Sequence, residues 1–254
     1  MRLLSPALAA LLLVLPVATA SGLLGPGPVL GTPHVVLVFW GFHTTGVAAV
    51  DDPAGEEPFL AALFAWLGGN PWLDTLAQYG VGNPATLLQP PFDVLHHDPP
   101  GGLPAIVPDT LLASEAVAAA DQYWGLHGYN ANDQFIVATP HLRSTAEFGV
   151  AYCAYHAWVQ DGAGRLVPYV NLPYQTDMPL TCGASFPGGG PLDAVSLAAA
   201  GEFANTATDP FGSGWQDITG KEVASKCAGQ AGDPHLPRPY ALPALWSNAA
   251  GRCV

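Results

Sequence analysis

Six consecutive residues, Val35-Val36-Leu37-Val38-Phe39-Trp40, carry no polar side chain. Side chains alternate between faces along a strand, so an apolar run of β-branched and aromatic residues predicts a strand buried on both sides. Such a strand belongs at the centre of a sheet, and each face of that sheet then needs a covering layer. The neighbouring segments can supply it. From Glu56 to Leu67, the residues Phe59, Leu60, Leu63, Phe64 and Leu67 recur at helical spacing, with acids in the first turn and Gly68-Gly69 at the end. Asn70 can cap a second helix, with Pro71 at its first position and Leu73, Leu76 and Tyr79 along it before Gly80. Asp109 is read as the cap of a third helix that runs to about Trp124 and ends at Gly125. Phe135 to Thr139 and Val150 to Val159 read as further strands. A last helix spans about Leu192 to Ala207 and stops before Asp209-Pro210, with Gly201 in its middle. Strands alternating with helices, then strands in pairs, predict an α/β fold, a mixed sheet covered by helices. Residues 21–33 read as a mobile leader. Residues 81–108, broken by Pro90-Pro91, Pro99-Pro100 and Gly101-Gly102, read as a long surface loop.

The first twenty residues predict export. Arg2 gives a positive start, Leu8 to Val14 an apolar stretch, and Ala18-Thr19-Ala20 a small-residue cleavage site. The expected division is a signal peptide over 1–20 and one domain over 21–254. Pro6 and Pro16 leave the apolar stretch far short of the roughly 20 residues a membrane span needs, and no later run is long and apolar enough. The expectation is a secreted, extracellular protein with no membrane span.

Four cysteines, Cys153, Cys182, Cys227 and Cys253, are an even number in a chain expected to be exported, which predicts two disulfides. Three connectivities are possible. Pairing Cys153 with Cys182 and Cys227 with Cys253 is favoured, each closing a loop of roughly 25 to 30 residues for about 3 kcal/mol of chain entropy. With seven Lys plus Arg against 20 Asp plus Glu, the protein's field repels phosphate backbones, so nucleic acid is a poor partner.

Several constellations could carry chemistry. His96-His97-Asp98 offers metal-ligand types, although adjacent histidines in a Pro-rich loop are ordinarily solvated polar residues. His141 and His156 flank the apolar strand region, where a lone histidine is more often a hydrogen-bonded structural residue. No Gly-x-Ser-x-Gly elbow surrounds Ser185 or Ser213, and the chain has neither a Walker loop nor a dinucleotide fingerprint. The seven Trp and eight Tyr could form a sugar platform, but core packing accounts for most such residues.

The most informative stretch is Ala200-Gly201-Glu202-Phe203-Ala204-Asn205 through Thr208-Asp209-Pro210, then Trp215 and Glu222-Val223-Ala224-Ser225-Lys226-Cys227. It resembles a family of exported bacterial proteins distantly similar to plant exordium, or phosphate-induced, proteins. In that family the stretch reads His-Glu-x-x-Glu, Thr-Asp-Pro and Glu-x-x-Asp-x-Cys. The similarity extends to Val137-Ala138-Thr139-Pro140, Tyr152-Cys153-Ala154-Tyr155-His156, Val167-Pro168-Tyr169 through Pro173-Tyr174, and Leu245-Trp246-Ser247-Asn248.

The resemblance implies a zincin-like single domain in which a His and a carboxylate four residues apart on one helix hold zinc and the intervening Glu activates water. Glu202 matches the general base, Glu222 the later acid and Asp209 the acid after the helix. Gly201 stands at the first ligand, Asn205 at the second, and Ser225 where the family has aspartate. One zinc ligand is therefore absent and another is a neutral amide, so tight zinc is not expected unless His141 or His156 substitutes. Glu202, Asn205, Asp209 and Glu222 could form an oxygen-rich pocket better suited to calcium. The expected function is that of a catalytically degenerate metallopeptidase-like protein that binds an extracellular protein or a cell-wall glycan. The alternatives are an active metal-dependent hydrolase with altered ligands and a wall-glycan-binding module.

Overall fold

The computed structural model describes residues 22–82, 92–182, 190–228 and 239–254. Among these, the strands are β1 (His34–Trp40), β2 (Asp93–His97), β3 (Ile106–Val107), β4 (Asp133–Ala138), β5 (Ser144–Thr145), β6 (Tyr155–Gln160), β7 (Leu166–Leu172), β8 (Trp246–Ser247) and β9 (Arg252–Cys253). The α-helices are α1 (Ala48–Asp51), α2 (Glu56–Leu67), α3 (Asp109–His127) and α4 (Asp193–Thr208). Five strands form one mixed sheet in the order β2-β1-β4-β7-β6, with β6 antiparallel to β7 and the other pairs parallel.

The apolar run does become an inner strand, and its period of two divides the protein into layers. Val35, Leu37 and Phe39 face a core shared with α2, α4, the segment Pro71–Tyr79 and the C-terminal residues Leu242 and Leu245. Val36, Val38 and Trp40 face the opposite core, where Leu112, Ala116, Ala119 and Ala120 of α3 cover the sheet. Among the described residues, no helix is long and apolar enough to cross a membrane.

Local details correct several expectations. The segment Pro71–Tyr79 is a 3₁₀ helix rather than an α-helix, although Asn70 does cap it, its Oδ1 accepting from the Trp72 N–H at 2.9 Å. Asp109 is the first helical residue of α3 and not its cap. Its carboxylate instead accepts from the Tyr155 hydroxyl. The helix passes through Gly125 and is capped by Gly128, whose φ of 86° is readily adopted by glycine. Residues 21–33 are not a loose leader where they are described. Leu23 and Leu30 are buried, and the Leu30 N–H donates to the Ala207 carbonyl at the end of α4.

The expected loop at 81–108 contains an edge strand. β2 reads Asp-Val-Leu-His-His and, among the described residues, pairs only with β1, so its side chains stay partly or fully exposed and no apolar run betrays it. β7 was concealed by Pro168, a residue that argues against a strand interior. Its ladder to β4 begins one residue later, at Tyr169, so the missing N–H breaks none of that parallel pairing. The expected strand at 150–159 begins only at Tyr155, after a turn.

Both disulfides join the favoured partners. Cys153–Cys182 spans 29 residues and links the start of β6 to the segment after β7. Cys227–Cys253 spans 26 and anchors β9. Ser185 lies outside the described residues.

Candidate functional site

α4 is buried around nearly its whole circumference, and alanines at 194, 198, 199, 200, 204 and 207 let neighbouring elements come close. Its polar side chains are absorbed locally: the Thr206 hydroxyl donates to the Glu202 carbonyl, and that of Thr208 to the Ala204 carbonyl. Glu202 behaves differently. Its carboxylate leaves the helix towards the antiparallel edge strand β6.

That strand supplies a histidine. Tyr155, Ala157 and Val159 pack against the α3 side of the sheet, so His156, by strand alternation, faces the α4 side. Its Nδ1 lies 3.1 Å from Glu202 Oε2, and its Nε2 lies 3.2 Å from Glu222 Oε1 and 3.0 Å from the Asp209 carbonyl. The three side chains are only 10%, 16% and 14% exposed, for His156, Glu202 and Glu222 respectively. Burial acts most strongly on His156 and opposes its charge. The hydrogen bonds and charges of Glu202 and Glu222 together outweigh it and push the imidazole up to about 10. Burial likewise pushes the Glu222 carboxyl up, with His156 acting against the rise. Glu202 and Glu222 thus hold the imidazole in its protonated form from opposite sides of the ring.

The other residues singled out in the sequence surround this triad. Asn205 is buried; its Oδ1 accepts from the Ala224 N–H at 2.9 Å, and its amide group lies 3.5 Å from Glu202 Oε1. The Ser225 hydroxyl accepts from the Glu222 N–H at 2.7 Å and so fixes the turn that presents Glu222. Asp209 is also buried, but its carboxylate accepts from the Gly214 N–H and the Gln216 amide while only its carbonyl meets His156. Around Gly201 a Cβ would meet nothing nearer than Pro243 Cγ at 3.6 Å and Ala224 Cβ at 3.8 Å, which is ordinary contact. Steric crowding at the Cβ is not why glycine stands there.

These residues do not fit a three-ligand zinc centre. One imidazole stands between Glu202 and Glu222, so a metal on either ring nitrogen would meet a single carboxylate beside it. The oxygens of Asn205 and Asp209 are spent on backbone and amide donors, which also leaves no oxygen cage for calcium.

No family model, curated protein or solved structure matches this chain.

The other histidines have separate settings. His141 Nδ1 lies 2.5 Å from Asp177 Oδ1, and its ring meets the Tyr174 ring edge-on. His96 and His97 are not simply solvated. His96 Nε2 lies 2.8 Å from Glu57 Oε1, and His97 Nδ1 lies 2.5 Å from Glu115 Oε1, which pushes the His97 imidazole up. Glu57 and Glu115 carried no sequence signal, because strand pairing alone brings β2 beside α2 and α3. His156 could have been assigned to the α4 face by alternation had the start of β6 been legible.

Proposed function

We propose that this protein is a secreted, catalytically degenerate relative of the exordium-like, metallopeptidase-related family, with a zincin-like scaffold that acts by binding an extracellular protein or cell-wall glycan. The observation that carries this reading is the clamp of Glu202 and Glu222 on the two nitrogens of His156. A histidinium holds the position between carboxylates where the family resemblance implies a metal, and both Glu202 and Glu222 are engaged as its counter-ions. A general base must accept a proton from water, and a carboxylate neutralised by an adjacent imidazolium is a weak one. The placement of α4 against the mixed sheet, with Glu202 facing the edge strand, supports the zincin-like arrangement. Two disulfides support an oxidising destination.

A specific observation also favours the altered-ligand hydrolase, since an imidazole from a distant strand does reach Glu202. Peptide and glycoside hydrolysis measured with and without added zinc separates the two readings. The proposal expects no turnover above the Glu202→Gln variant, together with retention of the intact chain on wall material. Zinc-dependent hydrolysis that vanishes in Glu202→Gln would overturn it and establish the hydrolase.

A further inference from the structure

A second group of metal-ligating side-chain types lies on the opposite half of the sheet. β1 ends at Trp40, and the turn that follows carries His43. β2, parallel to β1, places His96 beside Phe39, and the two rings stack with centroids 5.6 Å apart. Glu57 is the second residue of α2, whose N-terminus comes to the same end of the sheet. Three positions far apart in sequence thus meet outside the carboxyl ends of two parallel strands, the side on which open α/β sheets bind ligands.

Both imidazoles turn the same nitrogen to the same carboxylate. His96 Nε2 lies 2.8 Å from Glu57 Oε1, and His43 Nε2 lies 3.2 Å from Glu57 Oε2. One ligand atom from each of the three residues falls within 4.8 Å of the other two. Around a tetrahedral zinc with bonds of about 2.0 to 2.1 Å, neighbouring ligand atoms stand roughly 3.3 Å apart. The two histidine–glutamate separations lie close to that, and the histidine pair stands within 4.8 Å, so an ion could enter with small side-chain adjustments. On its other edge, His43 Nδ1 lies 3.6 Å from Asp98 Oδ2, while Asp98 Oδ1 accepts from the His43 N–H at 2.8 Å. A carboxylate beyond one ring nitrogen leaves the other nitrogen as the ligand, the usual second layer of a histidine metal site.

We propose that His43, Glu57 and His96 form a binding site for a divalent transition-metal ion of the zinc class. Two imidazoles and a carboxylate are ligands of intermediate softness, which suit zinc and its neighbours better than calcium or magnesium. Side-chain exposures of 49% at His43 and 40% at His96 give an ion direct entry from solvent. A formal net charge of −13 raises the local concentration of cations. The site is separate from the His156 triad. Between β1 and β6 lie β4 and β7, so the two are three strand spacings apart, roughly 14 Å.

The test is titration of the metal-free mature chain with zinc chloride by calorimetry, alongside His43→Ala, His96→Ala and Glu57→Gln. All three side chains are at least partly exposed, and far-UV circular dichroism checks the fold of each variant. The expected result is one zinc per chain, with affinity lowered at least about tenfold by each substitution. In the natural chain, zinc should shift the imidazole ¹⁵N signals of His43 and His96, a readout that does not depend on any variant folding. No zinc binding by the natural chain would overturn the proposal. So would zinc that leaves those two ¹⁵N signals unmoved, or binding kept in His43→Ala and His96→Ala but lost in Glu222→Gln, which would place the ion in the α4 cleft.

Discussion

Raising the pH from about 7.5 to about 9.5 should destabilise this protein chiefly through one buried group, His156. Glu202 and Glu222 hold its imidazole up to about 10 in the folded state, against roughly 6.5 in an unfolded chain. A folded-state value raised in this way contributes stability that is fully present below the unfolded value and is lost as pH rises through the folded one. Within that window the loss approaches about 1.4 kcal/mol per pH unit and falls off near either end, so two units cost about 2.5 kcal/mol. Glu56 titrates in the same direction but earlier, because burial pushes its carboxyl up to about 7, and starting at about pH 7.5 leaves most of its effect behind. The buried tyrosines titrate later, with Tyr79 pushed up to about 12 by burial. The assay is urea unfolding followed by tryptophan fluorescence at several pH values, for the natural chain and for His156→Gln. The variant leaves two buried carboxylates without their cation and should lose about 3 kcal/mol or more at neutral pH. Its remaining stability should vary less with pH over the same range. Parallel pH profiles for the two proteins would refute the reasoning, as would an imidazole proton signal of His156 that titrates below pH 7 in the natural chain.

Gly201→Ala should raise stability by about 0.5 to 1 kcal/mol, because the new methyl meets only ordinary contacts and the helix gains propensity; a lowered midpoint in thermal melts would contradict the uncrowded contacts beside α4. Gly201→His with Asn205→Glu and Ser225→Asp should instead cost at least about 1 to 3 kcal/mol by overpacking, since it also removes the Asn205–Ala224 and Ser225–Glu222 hydrogen bonds; an unchanged urea midpoint would count against that accounting. Replacing Cys227 and Cys253 together by alanine should lower stability by about 3.5 kcal/mol, the chain-entropy value for the loop they close, and equal urea midpoints with and without the bridge would exclude a role for it in stability. Mass spectrometry of exported protein should find a chain beginning near Ser21, and a retained Met1 would remove the basis for export.

Where local chemistry is decisive, the sequence was sufficient. Val35 to Trp40 had to be an inner strand, because no register of an apolar run leaves a face for water. The periodic segments at 56–67 and 192–207 had to be helices, and each ended within a residue of its stop signal. Loop length favoured the cysteine pairing that occurs. β2 and β7 were not legible because one is a half-exposed edge strand and the other contains Pro168, so neither shows its period without its neighbours. The candidate groups divide along the same line. Glu202, Asn205, Glu222 and Ser225 lie close in the chain and could be marked by motif. The partner that decides their chemistry, His156, is 46 residues from Glu202 and arrives only because β6 reverses at the sheet edge and turns that face towards α4. His43 and His96 meet for a similar reason, the parallel pairing of β1 with β2, and the start of α2 adds Glu57. A sequence states which residues can bear charge, whereas the cost of burying that charge and the counter-ion that offsets it exist only once strands and helices have been set side by side.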